Sequence, residues 1–323
     1  MTIVQSVKGP IEVELLGPTL MHEHCFVLTV EHVQNYGEGS WWNEEERLAD
    51  AVAKLSLLRA KGITTIVDPT VLGLGRYIPR VMRLAGEVDL NIIVATGLYT
   101  FHDVPFVYSV RGPRTPLGGP EPMVADFTRD LLYGIGETGV RAAFLKCAVE
   151  HAAMAPGVER TVRAVAQAHL ETRAPITVHT SAAEQSGREA LRLLSEEGVA
   201  LDKVVIAHAG DSTDLDYLME LADTGAILGM DRFGLDAFCP TRVRVATVAK
   251  LAERGYADRM VLSHDAACFI DYFGPPGPYV GVTMPNWHFG HIPDEVLPAL
   301  LEQGVSKGQI NQMLVKNPAR YFS

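Results

Sequence analysis

The sequence predicts an α/β fold, a (β/α)8 TIM barrel, on three observations. Short apolar runs alternate with amphipathic helical segments along the chain, and their ends recur about every 34 residues, close to the length of one βα unit. Several runs, such as 91–96, are apolar without interruption, as in parallel strands covered on both faces. Histidine or aspartate ends several of the runs. A closed barrel brings such ends together, whereas an open doubly wound sheet spreads them apart.

Eight candidate strands follow one another along the chain. They are predicted to end near His24, Asp68, Thr96, Lys146, His179, His208, Met230 and Asp265. Helical patterns lie between them at 43–61, 76–87, 122–136, 157–173, 185–197, 213–224 and 241–254, and a last helix covers about 293–303. Because no linker or low-complexity segment interrupts this order, we expect residues 1–323 to form a single barrel domain. The connection at about 266–292 is long enough to be a functional loop over the last strand's end.

Composition narrows the class of protein. The chain has 28 basic and 39 acidic residues, a net charge of −11, which disfavours nucleic acid or an anionic membrane as partners. Cys25, Cys147, Cys239 and Cys268 are far apart and lack a CxxC pairing, so we expect reduced, mostly buried thiols. We find no signal peptide and no apolar run of roughly 18 residues. These features predict a cytoplasmic protein.

His22 and His24 form an HxH pair at the end of the first apolar run. Residues i and i+2 of a strand face the same side, so both imidazoles can reach one metal ion. With 11 histidines in the chain, roughly 0.4 such pairs are expected by chance, so the pair alone is about equally consistent with a surface or core position and with a metal site. Its significance comes from the donors that end later strands.

His179 and His208 each end a predicted strand, one βα unit apart, and Asp265 ends the eighth. A lone histidine in such a position is more often structural, but two of them after an HxH pair make coincidence much less plausible. Imidazole nitrogens and a carboxylate are common zinc ligands. The pattern predicts a metal-dependent hydrolase. His264 would face away from the site, in packing or in contact with a ligand.

Lys146 ends another predicted strand. The simpler interpretation is a lysine whose ammonium reaches solvent. Beside divalent cations its charge would have to be removed, and carboxylation would turn it into an anionic bridge.

The chain resembles the phosphotriesterase-like lactonases of the amidohydrolase superfamily over nearly its whole length. The matching stretches are 19–24, 97–99, 145–147, 176–180, 207–211, 229–234 and 262–265. The resemblance implies two divalent metal ions, zinc in the first place, with cobalt, iron or manganese as alternatives. His22, His24 and Asp265 would hold the more buried ion. His179 and His208 would hold the more exposed one, and Lys146, as N6-carboxylysine, would bridge them.

The resemblance also implies residues that contact substrate. Tyr99 would lie near a hydroxide that bridges the two ions, and Arg232 near the bound ester. An arginine at position 232 favours a lactonase over a phosphotriesterase. The apolar final loop, with Phe269, Tyr272 and Phe273, would hold the substrate's tail, although relatives place other aromatics there. Asp265 would accept a proton and return it to the leaving group.

These expectations predict hydrolysis of N-acyl-homoserine lactones, bacterial signals, with weak phosphotriesterase activity. One alternative is an enzyme that mainly hydrolyses organophosphate triesters, and another is a catalytically silent metal-binding or interaction protein. The resemblance implies a homodimer acting on a small-molecule lactone. Trp41 and Trp42 are equally consistent with a dimer contact and with packing under the first loop.

Overall fold

The computed structural model describes residues 2–36, 42–271 and 284–323. Its central feature is a parallel barrel. The strands in its wall are β3 (Thr19–Leu20), β5 (Thr65–Asp68), β6 (Asn91–Gly97), β7 (Phe144–Val149), β8 (Ile176–Thr180), β9 (Val204–Ala207), β10 (Ile227–Met230) and β11 (Met260–Leu262). Each pairs in parallel with the next in chain order. The predicted (β/α)8 barrel is therefore confirmed.

The barrel closes through continuations of its first and last strands. β4 (His24–Val27) continues β3, and β12 (Ala267–Ile270) continues β11. The two continuations pair in parallel, with His24 opposite Ala267 and Phe26 opposite Phe269. An antiparallel hairpin of β1 (Ile3–Ser6) and β2 (Gly9–Glu12) precedes the barrel.

Helices follow most barrel strands. They lie at Val30–Tyr36, Glu44–Ala60, Ile78–Glu87, Phe106–Ser109, Pro122–Leu132, Pro156–Thr172, Gly187–Glu196, Leu215–Asp223, Thr241–Glu253, Leu297–Glu302, Lys307–Asn311 and Asn317–Phe322. Two π-helical turns, Ile292–Val296 and Gln312–Lys316, lead into the helices that follow them. The predicted helices are present, most within two residues of their predicted ends. Asn43 caps the helix at Glu44–Ala60, where its side chain accepts a hydrogen bond from the Glu46 N–H at 3.2 Å. Among the described residues, no helix is long and apolar enough to cross a membrane.

Alternate residues of the barrel strands pack into two different hydrophobic cores. In β6, Ile93 and Ala95 belong to the cluster inside the barrel, and Ile92 and Val94 to the cluster between barrel and helices. Since both faces of the strand are buried, both must be apolar, which explains the uninterrupted apolar runs. All four cysteines are unpaired and buried, as expected.

Three local predictions need correction. The first strand does not continue through the HxH pair, because the chain bends at 21–23 between β3 and β4. Lys146 lies within β7 rather than at its end. The expected loop at 266–292 begins as a strand, β12, because closing the barrel requires a partner for β4.

Trp42 packs in the core beneath the first loop. It is 3% exposed, and its ring lies edge-on to Phe26 at 6.0 Å and to Phe269 at 5.2 Å between centroids. The packing alternative therefore describes Trp42. Trp41 lies outside the described residues.

Candidate metal centre

His22, His24 and Asp265 meet at the carboxyl ends of the barrel strands. Asp265 Oδ1 lies 3.4 Å from His22 Nε2 and 3.3 Å from His24 Nε2. One ligand atom of each residue lies within 4.8 Å of the others, close enough to hold one ion. The first predicted ligand set is thus brought together, although the two histidines lie in or next to a bend.

His179 and His208 face each other beside this group. Their Nδ1 and Nε2 atoms, respectively, lie 2.9 Å apart. Burial lowers the pKa of His179 to about 4, and burial also holds the pKa of His208 well below its ordinary value. Both rings are therefore neutral at pH 7, which is the form that binds metal.

The outer nitrogen of His24 is held by a hydroxyl. His24 Nδ1 lies 2.7 Å from Thr70 Oγ1, and that hydroxyl donates to Asp68. Because the hydroxyl proton is committed to the carboxylate, Thr70 accepts from the imidazole N–H. The lone pair of His24 is therefore on Nε2, facing Asp265.

One buried carboxylate holds two further imidazoles. Asp231 Oδ1 lies 2.8 Å from His208 Nδ1, and its Oδ2 lies 3.3 Å from His22 Nδ1. Although burial works to raise it, the His208 and His22 imidazoles hold the pKa of Asp231 below its ordinary value. An ionised Asp231 accepts a hydrogen bond from His208 Nδ1–H, and at 3.3 Å its charge attracts the Nδ1–H of His22, so Nε2 of each ring is free to bind metal.

Glu150 orients the fourth imidazole, that of His179, in the same way. Its Oε2 lies 2.7 Å from His179 Nε2, and this hydrogen bond is the main cause that lowers the pKa of Glu150. The lone pair of His179 is therefore on Nδ1, facing His208. Two lone pairs at that separation repel each other unless a shared proton or a cation lies between them.

Lys146 completes the centre. Its side chain is 1% exposed, and Nζ has no hydrogen-bond partner in the described structure. Burial lowers its pKa to about 8. A buried, partnerless amine with a reduced proton affinity is the form of lysine that reacts with carbon dioxide. The donor set thus fits two divalent ions: four oriented imidazoles, the Asp265 carboxylate and a central amine.

Three residues of the site have strained backbones. His208, Arg232 and Asp265 have φ angles of 66°, 64° and 55°, in the left-handed region that non-glycine residues rarely adopt. They are three of the six non-glycine residues with positive φ in the part of the chain that the structure describes. Such strain concentrates where side-chain direction matters for function.

Arg232 is held between two carboxylates. Its Nε donates to Asp265 Oδ2 and its Nη1 to Asp211 Oδ2, both at 3.0 Å. Burial opposes its charge, yet Asp265 and Asp211 together raise the pKa of Arg232. Arg244, fully buried, pairs with the other oxygen of Asp211. Arg232 is therefore a permanent cation at the site.

The centre forms the floor of a cavity of about 210 Å³. Apolar side chains form its walls and rim: Val27, Leu74, Leu235, Phe238, Ile270, Met284 and Trp287. Tyr99 also lines it, with its hydroxyl 3.5 Å from His179 Nδ1. The cavity thus has a charged floor and an apolar mouth.

One aromatic residue of the final loop that was predicted to contact substrate, Phe269, lies away from the cavity. Phe269 is 6% exposed and lies outside the set of described residues that line the cavity. It packs on Trp42, because within β12 its neighbour Ile270 takes the position that faces the cavity. Tyr272 and Phe273 lie outside the described residues.

The comparisons with known proteins match this architecture. Residues 2–322 match the phosphotriesterase family. The chain belongs to the phosphotriesterase family. A phosphotriesterase homology protein of Mycobacterium tuberculosis is 53% identical over 99% of this chain and 97% of its own length. An aryldialkylphosphatase of Saccharolobus solfataricus is 35% identical over 98% of each chain.

A solved structure, a phosphotriesterase from Mycobacterium tuberculosis, superposes with a TM-score of 0.96 at 52% identity. It covers 99% of this chain and 98% of that one. The chain is accordingly a phosphotriesterase-family hydrolase, and this family depends on a binuclear metal centre.

Sequence reasoning missed the residues that orient the ligands. Asp231, Glu150, Thr70 and Asp68 hold the four imidazoles, and none was assigned a role. Asp68 and Asp231 carried a signal, because each lies at or directly after the end of a predicted strand. Glu150 carried none. His264, expected in packing or in contact with a ligand, is fully buried and does not reach the cavity.

Proposed function

We propose that this phosphotriesterase-family hydrolase opens lactone rings, most effectively those of N-acyl-homoserine lactones, and cleaves phosphotriesters weakly. The observation that carries the proposal is the cavity of about 210 Å³ over the candidate metal centre, with a charged floor and an apolar mouth. A homoserine lactone has one small polar ring and one apolar tail. A phosphotriester instead carries three ester substituents on a tetrahedral phosphorus, so it lacks this division into one polar ring and one apolar tail.

Under this proposal the centre holds two divalent ions, zinc first and cobalt, iron or manganese as alternatives. His22, His24 and Asp265 hold one ion, and His179 and His208 the other. Lys146, carboxylated on Nζ, would help to hold both ions. Bound there, the ions would supply a water-derived nucleophile at neutral pH and polarisation of the ester carbonyl.

The chain's own residues divide the remaining work. Asp265 directs Oδ1 toward His22 and His24, while its Oδ2 lies 3.0 Å from Arg232 Nε. Oδ2 would therefore accept a proton from the attacking water and deliver it to the departing ring oxygen. Arg232 holds that oxygen in place and donates hydrogen bonds to the substrate. The Tyr99 hydroxyl orients the lactone ring.

A second candidate reaction uses the same site. Hydrolysis of organophosphate triesters as the main activity is favoured by the name of the Saccharolobus solfataricus relative, an aryldialkylphosphatase at 35% identity. A third possibility, a catalytically silent metal-binding protein, predicts no turnover of either substrate after metal loading.

The deciding experiment measures kcat/KM of the metal-loaded protein for a long-chain N-acyl-homoserine lactone and for an aryl dialkyl phosphate. We expect a strong preference for the lactone. A preference for the phosphate would replace the proposal with the second candidate. No turnover of either substrate would support the third.

A chain-length comparison tests the role assigned to the rim. Phe238 lines the cavity and is 64% exposed, with Arg232 5.0 Å from its ring centroid. Phe238→Ala should lower kcat/KM more for a long acyl chain than for a short one. Phe106→Ala is the matched control, since Phe106 is 81% exposed and lies outside the cavity. Equal effects at both chain lengths would contradict tail binding at the rim.

The proposal further includes a cytoplasmic homodimer with a small-molecule substrate and no nucleic acid or membrane partner. The net charge of −11 supports the exclusion of polyanionic partners. Light scattering on the purified protein tests the dimer.

A further inference from the structure

Glu23 is a buried acid in the HxH motif without a role in the mechanism above. Its side chain is fully buried and accepts four hydrogen bonds. Oε1 accepts from Ser263 Oγ at 3.0 Å, from the His264 N–H at 2.9 Å and from His264 Nδ1 at 2.7 Å. Oε2 accepts from the Ala266 N–H at 3.1 Å. All four donors belong to the turn at 263–266.

The negative charge of Glu23 has no formal counter-charge beside it. His264 Nε2 accepts a hydrogen bond from the Ile292 N–H at 2.9 Å, so its proton is on Nδ1 and the ring is neutral. Within the described ranges, no lysine or arginine lies within ion-pair distance of Glu23. Burying a carboxylate this way is costly and does not by itself favour stability. The position of Glu23 beside the 263–266 turn indicates a role in the site and not in stability.

The turn that Glu23 holds carries a metal ligand. Asp265 lies at its centre with a φ of 55°, a strained conformation. The Asp265 N–H donates to the His22 carbonyl at 3.0 Å, and Ser263 Oγ accepts from the His22 N–H at 2.7 Å. Glu23 thus joins the backbone of one ligand segment to that of the other, across the seam where the barrel closes.

We propose that Glu23 is a positioning residue for the ion held by His22, His24 and Asp265. Its carboxylate fixes the 263–266 turn so that Asp265 Oδ1 stays 3.3–3.4 Å from the two Nε2 atoms. The inference rests on the proposed function only for the presence of two ions, and it is independent of which ester is hydrolysed.

Glu23→Gln tests it with the Co²⁺-loaded full chain. The amide must place an N–H₂ group either against the Ala266 N–H or against the three donors at Oε1, so a buried donor meets a donor. In a titration with a chelator, we expect one Co²⁺ ion to be lost at about 10- to 100-fold lower chelator concentration, the usual effect of losing such a supporting contact. The visible absorption of that ion should change, while the second ion keeps its affinity.

Asp130→Asn is the matched control. Asp130 is also buried, at 4% exposed, and accepts from Arg76 Nη2 at 2.8 Å and Thr96 Oγ1 at 2.7 Å. It touches no proposed metal ligand, so this variant should lose thermal stability while keeping both Co²⁺ ions. A merely structural Glu23 would behave like Asp130.

Two results would overturn the inference. Both Co²⁺ affinities of Glu23→Gln could stay within about twofold of the unmodified chain, or both could fall together in proportion to thermal stability. If that variant does not fold, Ser263→Ala replaces it, since it removes one donor to Glu23 and the acceptor of the His22 N–H. Ser263→Ala should weaken the same ion, and unchanged Co²⁺ binding would refute the role. Failure of the lactonase proposal alone would leave these Co²⁺ results intact.

Discussion

Replacing Asp231 by asparagine should weaken metal binding by both histidine groups, because this one carboxylate orients an imidazole in each. Its Oδ1 accepts from His208 Nδ1 at 2.8 Å, and its Oδ2 lies 3.3 Å from His22 Nδ1. Asparagine offers one oxygen and one N–H₂ group. Whichever ring meets the N–H₂ group must move its proton to Nε2, where the proton blocks the metal-binding lone pair.

The size of the effect follows from these contacts. A hydrogen bond to a charged group contributes about 1.5–3 kcal/mol, which corresponds to roughly 10- to 150-fold in an equilibrium constant. Since the amide oxygen can serve one ring at a time, we expect one ion to lose affinity by roughly that factor. The other ion should lose less, because its ring keeps a neutral acceptor.

The assay is competition for Zn²⁺ between the protein and a chromophoric chelator, together with ¹⁵N NMR of labelled histidine to identify the tautomers. The matched control is Asp236→Asn. Asp236 accepts from the Thr241 N–H, Thr241 Oγ1 and Asn286 Nδ2 at 2.7–2.8 Å and contacts no proposed ligand. The Asp236→Asn variant should therefore bind both Zn²⁺ ions with unchanged affinity.

One result would refute this reasoning: an Asp231→Asn protein that binds both Zn²⁺ ions with unchanged affinity and unchanged tautomers. The Asp231 carboxylate would then have no effect on how His22 and His208 bind metal.

Three further outcomes are expected. Asp265→Asn should abolish turnover but retain most of the bound metal, since the amide oxygen still faces His22 and His24; unchanged hydrolysis would exclude proton transfer by Asp265. Lys146→Met should lose the ion at His179 and His208 first, and mass spectrometry of the intact native protein should show a carbon dioxide adduct that this variant lacks. Burial lowers the pKa of His291 to about 4. Its folded-state pKa lies below the unfolded value of about 6.5, so stability should fall by up to about 3 kcal/mol as pH drops from 6.5 to 4. The free energy of unfolding, measured with urea, should depend less on pH in His291→Gln than in the unmodified protein.

Much of the architecture was predictable because its signals are local. The order of βα units follows from alternating periodicities, and each proposed ligand at or near a strand end is adjacent to the apolar run that identifies it. His179, His208 and Asp265 were proposed as ligands in this way. Lys146 was proposed from the same pattern, although it lies inside β7 and points inward because of strand alternation.

Other features depend on contacts between distant segments. Asp231 and His208 are 23 positions apart, and Glu23 and His264 are 241 apart. Periodicity in one segment contains no information about which carboxylate meets which imidazole. Phe269 shows the same limit, because the pairing of β12 with β4 decides which of its residues face the cavity.

The sequence by itself thus determined the barrel and the types of donor at its rim, because the spacing of neighbouring residues predicts both. Only the tertiary structure decided how those donors are aimed. Closure of the barrel between β4 and β12 brings His22 and His24 to Asp265, and buried hydrogen bonds from Asp231, Thr70 and Glu150 fix which nitrogen of each imidazole faces the site. Those contacts exist only after strands far apart in the chain have packed together.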